Sequence, residues 1–146
     1  MSSFYLYFAY NFQSIVNVTD DQHFSVIFLS GGNGASTTAE ILHTNGSRIC
    51  SLPDLPSARR RHSQTGLTLC GGVDSPATTT CHTLSSTGSW VQSHSIAQRR
   101  WDHSAWASPQ GVMLLGGADT SARTTTEVLL ESGDTSPSFS LDYSAR

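Results

Sequence analysis

The sequence predicts an all-β fold assembled from repeats, and three observations predict it. An apolar run stopped by two glycines is written three times, as Val26-Ile27-Phe28-Leu29-Ser30-Gly31-Gly32, Leu67-Thr68-Leu69-Cys70-Gly71-Gly72 and Val112-Met113-Leu114-Leu115-Gly116-Gly117. The second glycines lie 40 and then 45 residues apart, a period that belongs to blade-like or solenoid repeats. Each run is followed by a threonine-opened segment and a turn pair suited to a hairpin, and no long amphipathic helix pattern breaks the series.

Composition agrees with this class. The chain has 146 residues and is 37% hydrophobic, enough for a packed core, and it holds no stretch long enough to span a bilayer. Only 13% of residues are charged and the net charge is -3, so no broad cationic surface is available to neutralise phosphates and nucleic acid is not an expected partner. Ser, Thr and Gly are used heavily instead, as on exposed strand faces and in tight turns.

Residues 1–19 form an N-terminal segment that does not carry the repeat. Phe4 to Phe12 reads equally as a strand, a processed leader or an arbitrary start, although a basic n-region and a small-residue cleavage site are not evident. The repeats are expected over 20–146, in units of about 20–55, 56–97 and 98–141, with 142–146 opening a further one.

In the first unit, Val26 to Gly32 is expected as the inner strand, followed by a loop from Asn33 to Ser36 and a strand from Thr37 to Thr44. Asn45-Gly46 then predicts a hairpin into Ser47-Arg48-Ile49-Cys50, because both central residues of a type I′ turn need positive φ. The turn recurs at Thr87-Gly88 and Ser132-Gly133. The Thr runs 37–38, 78–80 and 124–126 open the strand after each loop, where β-branched residues are favoured.

Pro53 and Pro56 forbid a central strand or helix after the hairpin, so this stretch is the crossing to the next unit. Arg59 and His62 close that crossing, and Arg100 and His103 close the next one with the same spacing. Ser140 to Arg146 parallels the stretch from Ser51 to Arg59, which places Arg146 where a further unit would open.

The strand ending in Gly-Gly, the hairpin carrying Trp90, the Leu-Pro pair and Arg-x-x-His together resemble the kelch repeat. The best copy, Arg59 to Ile96, holds Arg59, His62, Gly71, Gly72 and Trp90 at family-like positions; Cys50 and Phe139 stand where the family places its Trp, and the usual third-strand Tyr is absent from each copy. The resemblance implies four-stranded blades of a β-propeller, of which this chain supplies about three in an incomplete ring. Gly31, Gly32, Gly71, Gly72, Gly116 and Gly117 then let neighbouring backbone approach closely, while Arg59, His62, Arg100 and His103 tie each crossing to its neighbour. The ring would be completed by remaining blades of a longer propeller or by self-association.

Three cysteines leave two readings open: a Cys70–Cys81 bridge across neighbouring strands with Cys50 left over, or three free thiols in a reducing compartment. The sequons at Asn17 and Asn45 agree with an extracellular or secreted setting, which is favoured over the cytoplasm. A zinc site from Cys81-His82 with Cys50 or Cys70 is poorly spaced, and histidines that repeat with the unit read as structural, so no metal and no cofactor are expected. The glycine-rich stretch from Ser30 to Ser36 lacks the Lys-Ser/Thr of a phosphate loop, and Asp74 and Asp119 read as turn formers.

The expected function is a non-enzymatic module that binds another protein. Arg60, Arg61, Arg99, Trp101 and Trp106 are the candidate contacts, since Arg and aromatic residues dominate interface hot spots. Part of a galactose-oxidase-like copper scaffold, or a truncated product without independent function, are the alternative expectations.

Overall fold

The computed structural model describes residues 14–19, 25–32, 36–43, 45, 47–73, 78–119, 125–130 and 135–136. These residues form strands and turns, with no helix among them. The strands are β1 (Ser14–Thr19), β2 (Ser25–Ser30), β3 (Ala39–His43), β4 (Arg48–Ser51), β5 (Ser63–Thr65), β6 (Thr68–Cys70), β7 (Thr80–Leu84), β8 (Trp90–Ser95), β9 (Ser104–Ser108), β10 (Gly111–Leu115), β11 (Thr126–Leu130) and β12 (Thr135–Ser136). They pair in chain order as three four-stranded antiparallel sheets: β1 to β4, β5 to β8 and β9 to β12.

The Gly-Gly strands are β2, β6 and β10, the second strand of each sheet, with a neighbour on both sides. The inner strand expected at Val26 to Gly32 is therefore flanked by another, and it is the first strands, β1, β5 and β9, that approach one another between sheets. Residues 14–19 belong to the first sheet, ahead of the boundary that the repeat pattern suggests, because β1 carries none of the glycines that mark the unit. The short connections Gly66-Leu67 and Pro109-Gln110 fold β5 and β9 back onto β6 and β10.

The three expected hairpins join β3 to β4, β7 to β8 and β11 to β12. Asn45 sits in the first turn and Gly88 takes φ 76° in the second; Ser132 and Gly133 lie outside the described residues, as do Asp74, Phe139 and residues 142–146.

Alternation along the strands builds two cores, one for each pair of adjacent sheets. Between the first and second sheets lie Phe28, Ala39, Leu55 and Leu69, with Trp90 tilted against Phe28 at a centroid distance of 6.1 Å. Trp90 Nε1 also donates to Pro53 O at 2.8 Å, which pins the proline-broken crossing to the second sheet. Between the second and third sheets lie Cys70, Cys81, Ile96, Ala105, Leu114 and Leu129. Cys70 and Cys81 face each other across β6 and β7 and are joined as a disulfide, while Cys50 is free and exposed on β4. Of the two readings the cysteines left open, the structure holds the bridge.

Candidate functional site

The crossings between sheets concentrate the polar chemistry, and their design follows from the glycines. Gly31 has φ 65°, and a Cβ there would press on the carbonyl oxygen of Arg59 and come within 2.8 Å of the His62 ring. Gly72, at φ 95°, would meet His62 Cβ at 2.8 Å from the other side. His62 is thus held between the first glycine of one sheet and the second glycine of the next, and only residues without a side chain admit it. Gly71 and Gly117 hold His103 in the same way, with His103 Cε1 and His103 Cβ each at 2.8 Å from the would-be Cβ.

Backbone bonds repeat at both crossings. Gly32 N donates to Arg59 O at 3.1 Å and Gly72 N to Arg100 O at 2.9 Å. One residue on, Arg60 pairs with Val73 and Trp101 with Ala118 as isolated bridges. Arg61 and Asp102 follow, both at positive φ (58° and 52°), and both are exposed where the neighbouring histidines are buried.

The two arginine side chains run forward into the following sheet. Arg59, fully buried, donates to Gly71 O (3.3 Å), to Thr80 O (3.3 Å) and Oγ1 (3.2 Å), and to His82 Nδ1 (3.2 Å). Arg100, equally buried, donates to Gly116 O (2.9 Å) and Thr125 O (3.1 Å) and lies 3.5 Å from Glu127 Oε2. The other carboxylate oxygen of Glu127 accepts Ala97 N at 2.6 Å, so the buried anion is satisfied on both sides. Glu127 and His82 hold one repeat position; Glu40 holds it in the first sheet, where it pairs with Arg48 at 2.7 Å.

Both histidines meet serine hydroxyls. Ser30 Oγ donates to Gln64 Oε1 at 2.7 Å, and Gln64 Nε2 is turned to Gly66 O, so His62 Nε2 must be the donor in its 2.9 Å bond with Ser30 Oγ. The position of Ser30 is taken in the second sheet by Cys70, which is spent in the disulfide. His103 Nε2 instead lies 2.5 Å from Ser63 Oγ, the residue paired with Cys70 across β5 and β6. Burial first, and the nearby Arg59 and Arg100 second, pull His62 and His103 down to about 3, so both rings are neutral at ordinary pH. Burial also lowers His82, with Arg59 adding to it, consistent with Nδ1 accepting from that guanidinium.

These serine–histidine pairs are closed inside the junctions and are poor bases for activating a hydroxyl near neutral pH. Of the imagined zinc set, Cys70 and Cys81 are joined in their bridge and His82 meets Arg59, while Cys50 is free on β4.

Among the contact candidates, Arg60, Arg61 and Arg99 are exposed and Trp101 is half-buried. Arg61 and Trp101 come together: the guanidinium carbon lies 6.0 Å from the indole centroid, and the same side chain makes a paired bond to Asp102, with Nε to Oδ1 at 2.8 Å. Trp106 stands apart from them on β9 and is 65% exposed. Asn45 is exposed, its Oδ1 accepting Ser47 N at 2.9 Å and Ser47 Oγ at 2.7 Å; Asn17 lies in β1. Sequence reasoning weighed Ser63 and Ser104 beside His62 and His103 only as a nucleophile and base pair, which the repetition argued against, and it missed Glu127, Gln64 and Ser30. The available signal was that Glu40, His82 and Glu127 share one repeat position.

No protein-family model and no curated protein matches the chain. Solved structures do match, among them one titled "Structure of YjhT", with a TM-score of 0.71 at 13% identity. That likeness covers 91% of this chain and 53% of the other, so the chain spans about half the length of the structure it resembles. At such identity the likeness is one of fold.

Proposed function

We propose that the chain is a three-blade portion of a kelch-like β-propeller and serves as a protein-interaction module without catalysis of its own. The observation that carries this reading is how the junctions divide their cations. Arg59 and Arg100 are consumed inside the fold, whereas Arg60 and Arg99 remain exposed beside them, with Trp101 as a neighbouring apolar contact. Such a rim fits an acidic protein segment, which arginine recognises by charge-assisted, bidentate bonds. The buried Cys70–Cys81 bridge supports an oxidising, extracellular setting, where an exposed Asn45 sequon would be reachable.

An array of Asp/Glu-rich peptides tests it. Binding is expected to weaken with salt and to fall about tenfold or more in the R60E/R99E variant. Binding unaffected by that variant, or stoichiometric copper with oxidase turnover in the purified chain, would overturn the reading.

A further inference from the structure

We propose that Asn45 is the acceptor for an N-linked glycan, held at the end of the first sheet opposite the arginine rim. The inference rests on the oxidising setting argued above, in which such transfer takes place. Asn45-Gly46-Ser47 supplies the acceptor sequence, and the fold presents it: Asn45, Ser47 and the four β4 residues that follow are exposed.

The turn bends Ser47 back onto the amide to be modified. Ser47 N and Ser47 Oγ both donate to Asn45 Oδ1, at 2.9 and 2.7 Å. An amide nitrogen becomes a nucleophile by giving up a proton, because its lone pair is otherwise delocalised into the carbonyl. Two donors on Oδ1 stabilise the negative charge that moves onto the oxygen as this happens. The nitrogen then bonds to the anomeric carbon of a sugar carried on a lipid pyrophosphate. The bond from that carbon to the pyrophosphate breaks, the lipid pyrophosphate leaves with the electron pair, and the amide proton passes to a base of the transferase. The turn depends on no distant partner, so it is available while the chain is still folding. The other sequon is laid out differently. Asn17, Val18 and Thr19 lie within β1, paired with Ile27, Val26 and Ser25, and an extended strand sets alternate residues about 6.6 Å apart.

The hairpin itself does not require this asparagine. His43 N donates to Ser47 O at 2.8 Å, and at the same place in the second sheet Ser85 N donates to Ser89 O at 2.9 Å. That loop carries Thr87 where the first carries Asn45, and Ser85 Oγ accepts Ser89 N at 3.1 Å in place of the asparagine oxygen. Either residue closes the turn, which leaves Asn45 open to a role outside the fold.

Topology sets where the glycan stands. β3 starts at Ala39, paired with Ser30 beside Gly31, and runs away from the Gly-Gly end to His43, where the hairpin turns. The crossings that carry Arg60, Arg99 and Trp101 lie at the Gly-Gly end. The 5 residues of β3 put roughly 16 Å between the two ends, so a glycan on Asn45 leaves the rim clear.

Secreting the full chain from a eukaryotic host behind a signal peptide tests the site. Its mass is read before and after peptide N-glycosidase, which turns a glycosylated asparagine into aspartate. The expected mass exceeds the 15.7 kDa of the polypeptide and falls on treatment, with Asp found at position 45. N45Q and S47A should each lose this glycan and S47T should keep it, all three retaining the Cys70–Cys81 bridge. An Asn45 recovered without glycan, or a glycan on Asn17 alone, would overturn the inference. Removing the glycan should change acidic-peptide binding less than twofold, and a tenfold change would overturn the placement. The readouts separate the two readings: a glycosylated chain that binds no acidic peptide upholds the site and defeats the rim alone, whereas a bare Asn45 in a bridged chain that binds peptide defeats the site alone. Free thiols at Cys70 and Cys81 in the secreted chain would defeat the oxidising setting, and the inference with it.

Discussion

The crossing from the first sheet to the second and the crossing from the second to the third share one backbone plan and differ in their partners. In both, a histidine is held between two glycines and an arginine carbonyl accepts the second glycine of the preceding sheet. Yet Arg59 meets a neutral imidazole where Arg100 meets a carboxylate, and His62 meets Ser30 where His103 meets Ser63. Backbone carbonyls and threonines common to both crossings carry much of the load on the guanidinium, which is why the residue at the position of His82 and Glu127 is free to vary. What varies with it is the response to mutation and to acid.

The largest expected effect is at Glu127. Replacing it with alanine strips the carboxylate from a buried arginine and the acceptor from Ala97 N, at a cost of about 3–5 kcal/mol by urea denaturation. His82→Ala removes one neutral acceptor and should cost about 1 kcal/mol. Equal costs at the two positions would break the distinction between the crossings.

Next is the bridge. The C70A/C81A variant reopens a loop with a sequence separation of 11, and the chain-entropy estimate for that loop is about 3 kcal/mol. Because Cys70 stands where Ser30 stands, losing the bridge should weaken the second crossing while the His62–Ser30 bond persists. Chemical-shift changes confined to the surroundings of His103 would show this, and changes of equal size around His62 would contradict it.

Acid should produce a smaller loss per site. An unfolded histidine takes up its proton near 6.5, whereas His62 and His103 resist until about 3, so over that window the unfolded state binds more protons. Stability is therefore fully present above about pH 6.5 and falls as the pH drops through the window, by about 2 kcal/mol per ring at pH 5. His82 adds to the loss in the same direction. Denaturation midpoints that do not move between pH 7 and pH 5 would contradict the burial of these rings.

What could be read in the sequence is what the backbone forces to repeat. The Gly-Gly pairs, the Arg-x-x-His spacing and the hairpin at Asn45 recur because positive φ and close approach admit few residue types. β5 and β9 could not be read in the same way. They begin Ser63-Gln64-Thr65 and Ser104-Ala105-Trp106, too short and mixed to show a strand period, and tertiary pairing makes them strands. Glu127 and His82 escaped because a position defined by facing an arginine accepts either an anion or a neutral acceptor, so identity does not repeat although role does. Ser63 became the partner of His103 only because Cys70 was committed to a bridge, which no spacing rule foretells. The candidate contacts divided along similar lines: Arg61 and Trp101 proved to be neighbours, whereas Trp106 belongs to a sheet face.

The central claim is that both crossings are one backbone clasp with different side-chain partners. Native-state hydrogen exchange at the amides of Gly32 and Gly72, which donate to Arg59 O and Arg100 O, tests it most directly. Both amides should open with free energies within about 1 kcal/mol of each other, and Glu127→Ala should lower Gly72 more than Gly32. An exchange rate at Gly32 close to that of an open chain, beside a protected Gly72, would contradict it.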